Sequence, residues 1–340
     1  MRIAAAILLA ALGAPATPQA PFSSLHPVMT LHLGKTADWV LPTDDAVWIG
    51  STGPFAVHRI DPKTNRETAK VALPGEPCAG LAAGFGSVWV PLCGKDSFVG
   101  RGPGPELPSD SVAATAAHFS WDRSNSLARI DMKTNRLAAV YPVGPAAREG
   151  GIALSNDSVW MVTDTKGTLS RIDPATGKVR QTVPVAPGSD DPRFADGVVW
   201  LSGHDAGVVT AVDAMSGKVL ARVPVGEGPR FLTPGDGAIW VLLQGTGEIV
   251  RIDARTYKVT ARIAAGLAGP GGDIKFGAGH VWATLMGVPL TRIDAKSGRI
   301  ERQWVGRGGD SLDFAFGAVW LTDYKAGTVA RYPAGALGGP

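Results

Sequence analysis

The chain has 340 residues, of which 45% are hydrophobic and 19% are charged, and its formal net charge is +3. So many apolar residues with so little net charge exclude a disordered chain, and the 33 basic residues form no Lys/Arg-rich block that would indicate nucleic-acid binding. Beyond the N-terminus no apolar run reaches the roughly 18 residues that cross a bilayer, which argues against a membrane-spanning protein.

The N-terminus has the pattern of a secretory signal peptide over residues 1–16. Arg2 supplies a positive start, Ile3–Leu12 form a short apolar stretch, and Ala14–Ala16 offer the small residues of a cleavage site. A buried N-terminal helix is the alternative. We therefore expect a periplasmic or secreted protein with no membrane span after cleavage, in which residues 17–29 are an N-terminal linker.

Tryptophan recurs through the rest of the chain at intervals of 38 to 42 residues, with one longer interval of 71. The seven positions are Trp48, Trp89, Trp160, Trp200, Trp240, Trp282 and Trp320. Each lies in a short β-favouring run such as AVWI or SVWM. Units of this length cannot bury their faces alone, so residues 30–333 are predicted to form an all-β, seven-bladed propeller with four antiparallel strands per blade. The indoles are expected to pack between blades.

A second repeated element, RID, follows most of the tryptophans, as in Arg59–Asp61 and Arg171–Asp173. A turn such as DPKTN or DPATG comes next, and its Asn or Gly tolerates the positive φ that a bulged hairpin needs. The Arg and Asp of RID are expected at solvated strand edges and in the turn.

The seventh repeat ends soon after its third strand, at Arg331–Tyr332, so its fourth strand is missing. The segment Met29–Gly34 resembles the fourth strands of other repeats. Pairing of this N-terminal strand with the last blade would close the ring and cover an open edge. Residues 334–340 are then a C-terminal tail.

The only two cysteines, Cys78 and Cys93, stand opposite each other in the inner hairpin of blade two, because residues equidistant from a two-residue turn face each other. In an exported protein we expect a disulfide here; a metal site is the alternative, although no His lies nearby. A Gly/Pro-rich insertion follows in blade two, over residues 94–121. It is either a lid or partner loop, or a tolerated surface excursion.

The same register places pairs that differ between blades at the mouth of the channel. Glu149 would face Asp164, and these like charges require compensation by Arg148, a bound cation or a raised pKa. With His204 of the next blade they are the predicted site for Mg²⁺ or Ca²⁺, or for acid–base chemistry. Two solvated carboxylates and a surface histidine are the alternative. Gln244 and Tyr324 occupy corresponding positions in later blades.

The unit VWMVTD…TLSRIDPATGKVRQTVPV resembles the repeats of bacterial YVTN-type propellers and of the streptogramin (virginiamycin B) lyase-like group, over most of the repeat region. The resemblance to the second group implies elimination chemistry with a His, a Glu and a divalent metal at the channel. Where that His would stand this chain has Glu149, Arg193 and Arg230, and near the place of the Glu it has Asp164 and Asp323. No catalytic residue therefore carries over.

Two functions remain open. The first is a monomeric exported propeller that binds a small molecule or an envelope protein at its channel mouth, for which the candidate residues are Glu149, Asp164, His204, Arg193, Arg230, Gln244, Asp323 and Tyr324. The second is a metal-assisted lyase or hydrolase centred on Glu149, Asp164 and His204. The sequence contains no nucleophile elbow, P-loop or H-E-x-x-H motif.

Overall fold

The computed structural model describes residues 17–94 and 125–338. Within these ranges the chain forms seven mainly antiparallel sheets, and the innermost strand of each contacts the neighbouring sheet. The innermost strand of the seventh sheet contacts that of the first, so the sheets close into a ring. The predicted seven-bladed β-propeller is confirmed. In the described part of the chain no helix is long and apolar enough to cross a membrane.

Each blade runs from an inner strand at the channel to a fourth strand at the rim. Blade one comprises Thr36–Pro42, Val47–Thr52, Ala56–Asp61 and Arg66–Ala72. Blade two comprises a divided inner strand, Glu76–Pro77 with Ala82–Gly84, followed by Ser87–Cys93, Ser126–Asp131 and Arg136–Tyr141. Blade three comprises Ala153–Leu154, Val159–Asp164, Thr168–Ile172 and Val179–Pro184. Blade four comprises Ser189–Ala195, Val198–Gly203, Val208–Asp213 and Val219–Pro224. Blade five comprises Pro229–Gly235, Ala238–Leu243, Glu248–Asp253 and Lys258–Ala264. Blade six comprises Asp273–Gly277, His280–Leu285, Val288–Asp294, Ile300–Val305 and the N-terminal strand Gln19–Pro21. Blade seven comprises Leu312–Ala315, Ala318–Asp323, Thr328–Pro333 and the N-terminal strand Met29–His32. Among the described residues, Phe22–Ser24 and Ala334–Leu337 form 3-10 helices.

The seven repeated tryptophans are all buried in the packing of the blades, as expected. The arginine of RID lies across the sheet from the indole and not at a solvated edge. Trp48 pairs with Arg59, whose guanidinium carbon lies 5.8 Å from the indole centroid. Arg331 and Trp320 repeat this contact at 5.3 Å. Each such arginine covers an aromatic face and keeps its charge near water.

The aspartate of RID holds the turn that follows it. In blade one Oδ1 of Asp61 accepts a hydrogen bond from the backbone N–H of Lys63 at 2.8 Å, and in blade five Oδ1 of Asp253 accepts one from Thr256. These bonds to the charged form hold the pKa of both carboxyls below the usual range. The predicted turn role of this aspartate is thereby confirmed.

The N-terminal segment completes the ring. Met29–His32 pair antiparallel with Thr328–Arg331 as the fourth strand of blade seven, as predicted. The segment expected to be a linker also contains a strand, Gln19–Pro21, which runs parallel to the outer strand of blade six. In the C-terminal tail Leu337 is buried against blade seven. Both ends of the described chain are thus packed onto the last two blades.

In blades one, two, four and five the inner hairpins keep the predicted register only near their turns. In blade one a β-bulge at Trp39, with a φ of 61°, shifts the pairing of Asp38 by one residue. In blade four a similar irregularity places Ser189 opposite Gly203 instead of His204. Blade five shows the same shift at the start of its inner strand. A bulge inserts one residue and re-aims its neighbours, so the side chains at the mouth differ from those expected of a regular ladder.

Cys78 and Cys93 form a disulfide, with 5.7 Å between their Cα atoms. The two residues are 15 apart in sequence, and closure of so short a loop contributes at most about 3 kcal/mol to stability. The backbone oxygen of Cys78 accepts a hydrogen bond from Glu149 N at 2.8 Å, which joins blades two and three. The predicted signal peptide and nearly all of the predicted insertion lie outside the described residues.

Candidate functional site in the central channel

Ionisable side chains concentrate on the inner strands or in the few residues before them, and every blade contributes at least one. They are Asp38, Glu76, Arg148, Glu149, Asp190, Asp191, Arg193, Arg230, Asp273, Lys275, Asp310 and Asp313. Elsewhere the blades repeat the same residue types, but these positions differ from blade to blade. Carboxylates outnumber cationic groups in this set, so the channel has an acidic excess.

Two neighbouring aspartates of blade four are buried and paired with arginines. Asp190 Oδ2 lies 3.1 Å from Nη1 of Arg230, and Asp191 Oδ1 lies 2.7 Å from Nη2 of Arg193. Burial raises the pKa of Asp191 to about 6, although the charge of Arg193 opposes the shift. Gly151 permits this packing, because a Cβ at that position would collide with Oδ1 of Asp191.

A hydrogen-bonded chain links blades six, seven and one. Both carboxylate oxygens of buried Asp273 lie within 2.7 Å of Nζ of Lys275. Oδ2 of Asp273 also accepts a hydrogen bond from Oγ of Ser311 at 3.1 Å, and that Oγ accepts one from the backbone N–H of Val40. The polar network therefore crosses blade boundaries and fixes the carboxylate in place.

Asp38 and Asp310 are in a different situation from these paired groups. The ion pairs found among the described residues include neither carboxylate, and each accepts a backbone N–H instead. Burial raises the pKa of Asp38 well above its usual range, and the charges of Asp310, Asp273 and Glu149 raise it further. Burial likewise raises the pKa of Asp310 to about 6. These two carboxyls belong to the acidic excess that the protein's own cations leave unbalanced.

Asp313 lies further along the inner strand of blade seven. Burial raises its pKa to about 7, and the charge of Lys275 offsets the shift only in part. Asp38 and Asp313 still touch channel solvent, but they lie deep enough in the ring for burial to dominate. The channel consequently holds carboxyl groups that change charge between mildly acidic and neutral pH.

Four of the predicted binding residues lie at this channel: Glu149, Arg193, Arg230 and Tyr324. Nη2 of Arg230 donates to the backbone oxygen of Glu149 at 3.2 Å. The pKa of Tyr324 is raised by burial and then by the charges of Glu76 and the channel aspartates, so its hydroxyl belongs to the same group.

Two further predicted residues lie beside the channel. Nε2 of Gln244 donates to the backbone oxygen of Gly271 at 2.8 Å and so joins blades five and six. The charge of Asp323 contributes to the raised pKa of Asp310. Gln244 therefore holds two blades together beside the channel, and Asp323 affects a channel carboxyl through its charge.

The predicted cation ligands do not assemble as one group. Oδ1 of Asp164 accepts a hydrogen bond from Lys166 N within its own turn, and Nδ1 of His204 lies 2.9 Å from Oδ1 of the exposed Asp205. Among the described residues, the His/Asp/Glu group whose ligand atoms all lie within 4.8 Å of one another is elsewhere, on blade six. A cation role for Glu149, Asp164 and His204 stays a prediction.

Sequence reasoning missed most of the channel aspartates. A signal was present: Asp38, Asp190 and Asp310 each stand ten residues before the tryptophan of their blade, and Asp273 stands nine residues before its own. Alignment of the repeats on the tryptophans brings the first three positions into register. The cross-strand argument did not use this position, because it compared the pair one residue further from the turn and assumed regular ladders where the strands carry bulges.

The comparisons with known proteins support the architecture. The sequence matches no family model and no curated protein. Among solved structures, BamB from Moraxella catarrhalis superposes with a TM-score of 0.59 at 13% identity, over 91% of this chain and 97% of that one. The computationally designed Ika8 protein superposes with a TM-score of 0.57 at 12% identity, over 89% and 97%. At such identities the likeness shows that the chain has the fold of these proteins.

Proposed function

We propose that the protein is an exported binding propeller whose ligand presents an ammonium or guanidinium group to the channel. The observation that carries this proposal is a pair of channel carboxyls, half-buried Asp38 and buried Asp310, that the ion pairs found among the described residues do not include. Asp190, Asp191 and Asp273, in contrast, are each held by an arginine or a lysine.

A cationic ligand group would relieve the cost of these two carboxyls. The charge of Asp310 adds to the effect of burial in raising the pKa of Asp38, so a proton or a cation nearby stabilises the two carboxyls. In a partly desolvated channel a charge-assisted hydrogen bond is stronger than in water. Tyr324 lies near the same carboxyls, since the charges of Asp38 and Asp310 contribute, after burial and the charge of Glu76, to its raised pKa.

Export is supported by two features of the chain. The N-terminal pattern around Arg2 is that of a signal peptide. The Cys78–Cys93 disulfide is the kind of cross-link that persists in an oxidising compartment. The resemblance of the repeats to YVTN-type propellers fits an envelope or extracellular site of action. The cationic group belongs either to a small molecule or to a Lys or Arg side chain of an envelope protein.

Thermal melting with charged probes tests the proposal. The mature protein is melted with putrescine, with arginine amide and with succinate at equal ionic strength. We expect the two cations to raise the melting temperature by mass action and succinate to leave it unchanged. The shift should disappear in Asp38→Asn with Asp310→Asn, a pair of changes that removes the charge and keeps the side-chain size.

The matched control is Asp205→Asn, a neutralisation on the exposed rim. This variant should respond to the cationic probes as the wild type does. Unchanged melting of the wild type in both cations would overturn the proposal, and so would an equal response in the double variant.

A further inference from the structure

A second cluster of side chains lies on blade six, at the end of the blade away from the acidic channel mouth. His280 begins the second strand, Asp294 ends the third, and Glu301 lies in the fourth. His280 and Asp294 are directly paired across the ladder. One ligand atom from each of the three residues lies within 4.8 Å of the other two, and each residue is partly buried.

The protonation of His280 follows from its partners. Nδ1 lies 2.8 Å from the backbone oxygen of Ala278, which only accepts hydrogen bonds, so Nδ1 carries the proton. In the neutral ring Nε2 then presents a lone pair, and it lies 3.2 Å from Oε2 of Glu301. Two acceptors at this distance require a cation between them, either a proton or a metal ion.

Neighbouring groups orient the ligand atoms, as the hydrogen-bond partners of ligands do in metal sites. A histidine whose Nδ1–H is held by a backbone carbonyl has its Nε2 aimed for coordination, and the ring of His280 packs 5.8 Å from that of Trp282. Oδ1 of Asp294 accepts hydrogen bonds from the N–H and the hydroxyl of Ser297. These bonds fix the carboxylate and leave Oδ2 outside the turn.

Two arginines oppose a metal here. Nε of Arg292 lies 2.8 Å from Oε2 of Glu301, and Nη2 of the exposed Arg299 lies 3.8 Å from Oε1 of the same carboxylate. The guanidinium of Arg292 is also bound to the backbone oxygen of Leu337, and it neutralises part of the carboxylate charge. A hard ion such as Mg²⁺, which depends on full carboxylate charge, is disfavoured at such a site. An ion that binds imidazole well is favoured.

We propose that His280 Nε2, Asp294 and Glu301 bind Zn²⁺, with solvent in the remaining position. One imidazole and two carboxylates are a ligand set that Zn²⁺ accepts, and a site with three protein ligands stays open to water. This site is separate from the channel carboxyls, so its existence does not depend on the function proposed above.

Calorimetric titration of the chelator-treated mature protein with ZnCl₂ at pH 7.5, and in parallel with MgCl₂, tests this site. We expect one equivalent of Zn²⁺ to bind and Mg²⁺ to give no saturable heat. His280→Gln and Asp294→Asn should each weaken zinc binding about tenfold or more. Asp294→Asn keeps the acceptor of the turn, so it remains folded and informative if His280→Gln melts early.

His32→Gln is the matched control, because this histidine is exposed at the end of the closing strand of blade seven and lies outside the three-residue cluster. Its zinc affinity should equal that of the wild type. The proposal is overturned if the wild type binds no zinc, in which case a proton holds His280 and Glu301 together as an ion pair. It is also overturned if His280→Gln binds as tightly as the wild type.

Discussion

Aspartate performs two opposite tasks in this protein, and the difference is set by its surroundings. At the rim, Asp61 and Asp253 are solvated and accept N–H hydrogen bonds, which hold their pKa low. In the channel, Asp38, Asp191 and Asp313 are desolvated, which raises theirs. The rim residues therefore stabilise the fold when charged, and the channel residues destabilise it when charged.

The substitution Asp313→Asn tests how much the charge of one desolvated channel carboxyl lowers the stability of the fold. A carboxyl whose pKa is raised on folding stabilises the folded state when it is protonated. This stabilisation is complete below the pKa of the unfolded state, about 3.9. It is lost as the pH rises through the pKa of Asp313 in the folded state, about 7. The shift corresponds to about 4 kcal/mol, and contact with channel solvent reduces it to about 2 kcal/mol. We expect the asparagine to raise the free energy of unfolding by that amount at pH 8 and to change it little at pH 4.

Urea titrations at the two pH values measure this difference, with Asp205→Asn on the exposed rim as the control. The control should change stability equally little at both. A loss of stability in Asp313→Asn that is the same at pH 4 and pH 8 would mean that the carboxyl makes a structural hydrogen bond and is not a desolvated acid.

At the scale of the strand, much of the architecture was predictable and the site was not. The period of the tryptophans fixes the number of blades because every blade must bury one indole between its neighbours. The closing strand Met29–His32 was predictable because an unpaired edge at Thr328–Pro333 is costly. The arrangement of side chains in the channel was not predictable, because bulges such as that at Trp39 break the two-residue alternation of side chains on which cross-strand reasoning depends.

The two N-terminal strands should contribute unequally to stability. Deletion of residues 17–34 removes Met29–His32 and exposes the edge of blade seven, so we expect aggregation or loss of a single cooperative transition. Deletion of residues 17–24 removes Gln19–Pro21, which only adds a fifth strand to blade six. This shorter deletion should lower the melting temperature and keep one transition. Calorimetry of both deletion variants measures the number of transitions and their melting temperatures. Transitions that do not differ between the two variants would contradict the closing role of Met29–His32.

At the scale of the whole molecule, the two kinds of aspartate set the pH profile of stability. The rim carboxyls contribute stability that is lost as the pH falls below about 4. Asp191 and Asp310, with pKa values of about 6, and Asp313, with one of about 7, contribute stability that is lost as the pH rises towards neutrality. The pKa values of Asp38 and Asp190 are also raised by burial. Buried His58 acts in the opposite direction, since burial lowers its pKa, but it is one group against five.

We therefore expect the free energy of unfolding to be greatest near pH 5 and to decline between pH 5 and pH 8. Urea titrations from pH 3 to pH 9 at constant ionic strength measure this curve. A steady rise from pH 5 to pH 8 would show that the channel carboxyls are stabilised by contacts that outweigh their desolvation.

The closing strand also determines when the ring can be completed during synthesis. Met29–His32 are among the first residues made, but their partners Thr328–Arg331 come roughly 300 residues later. Until then the ring stays open, and the nascent chain carries Met29–His32 as an unpaired strand. Unpaired strands can pair with other chains, so the risk of aggregation is greatest before closure.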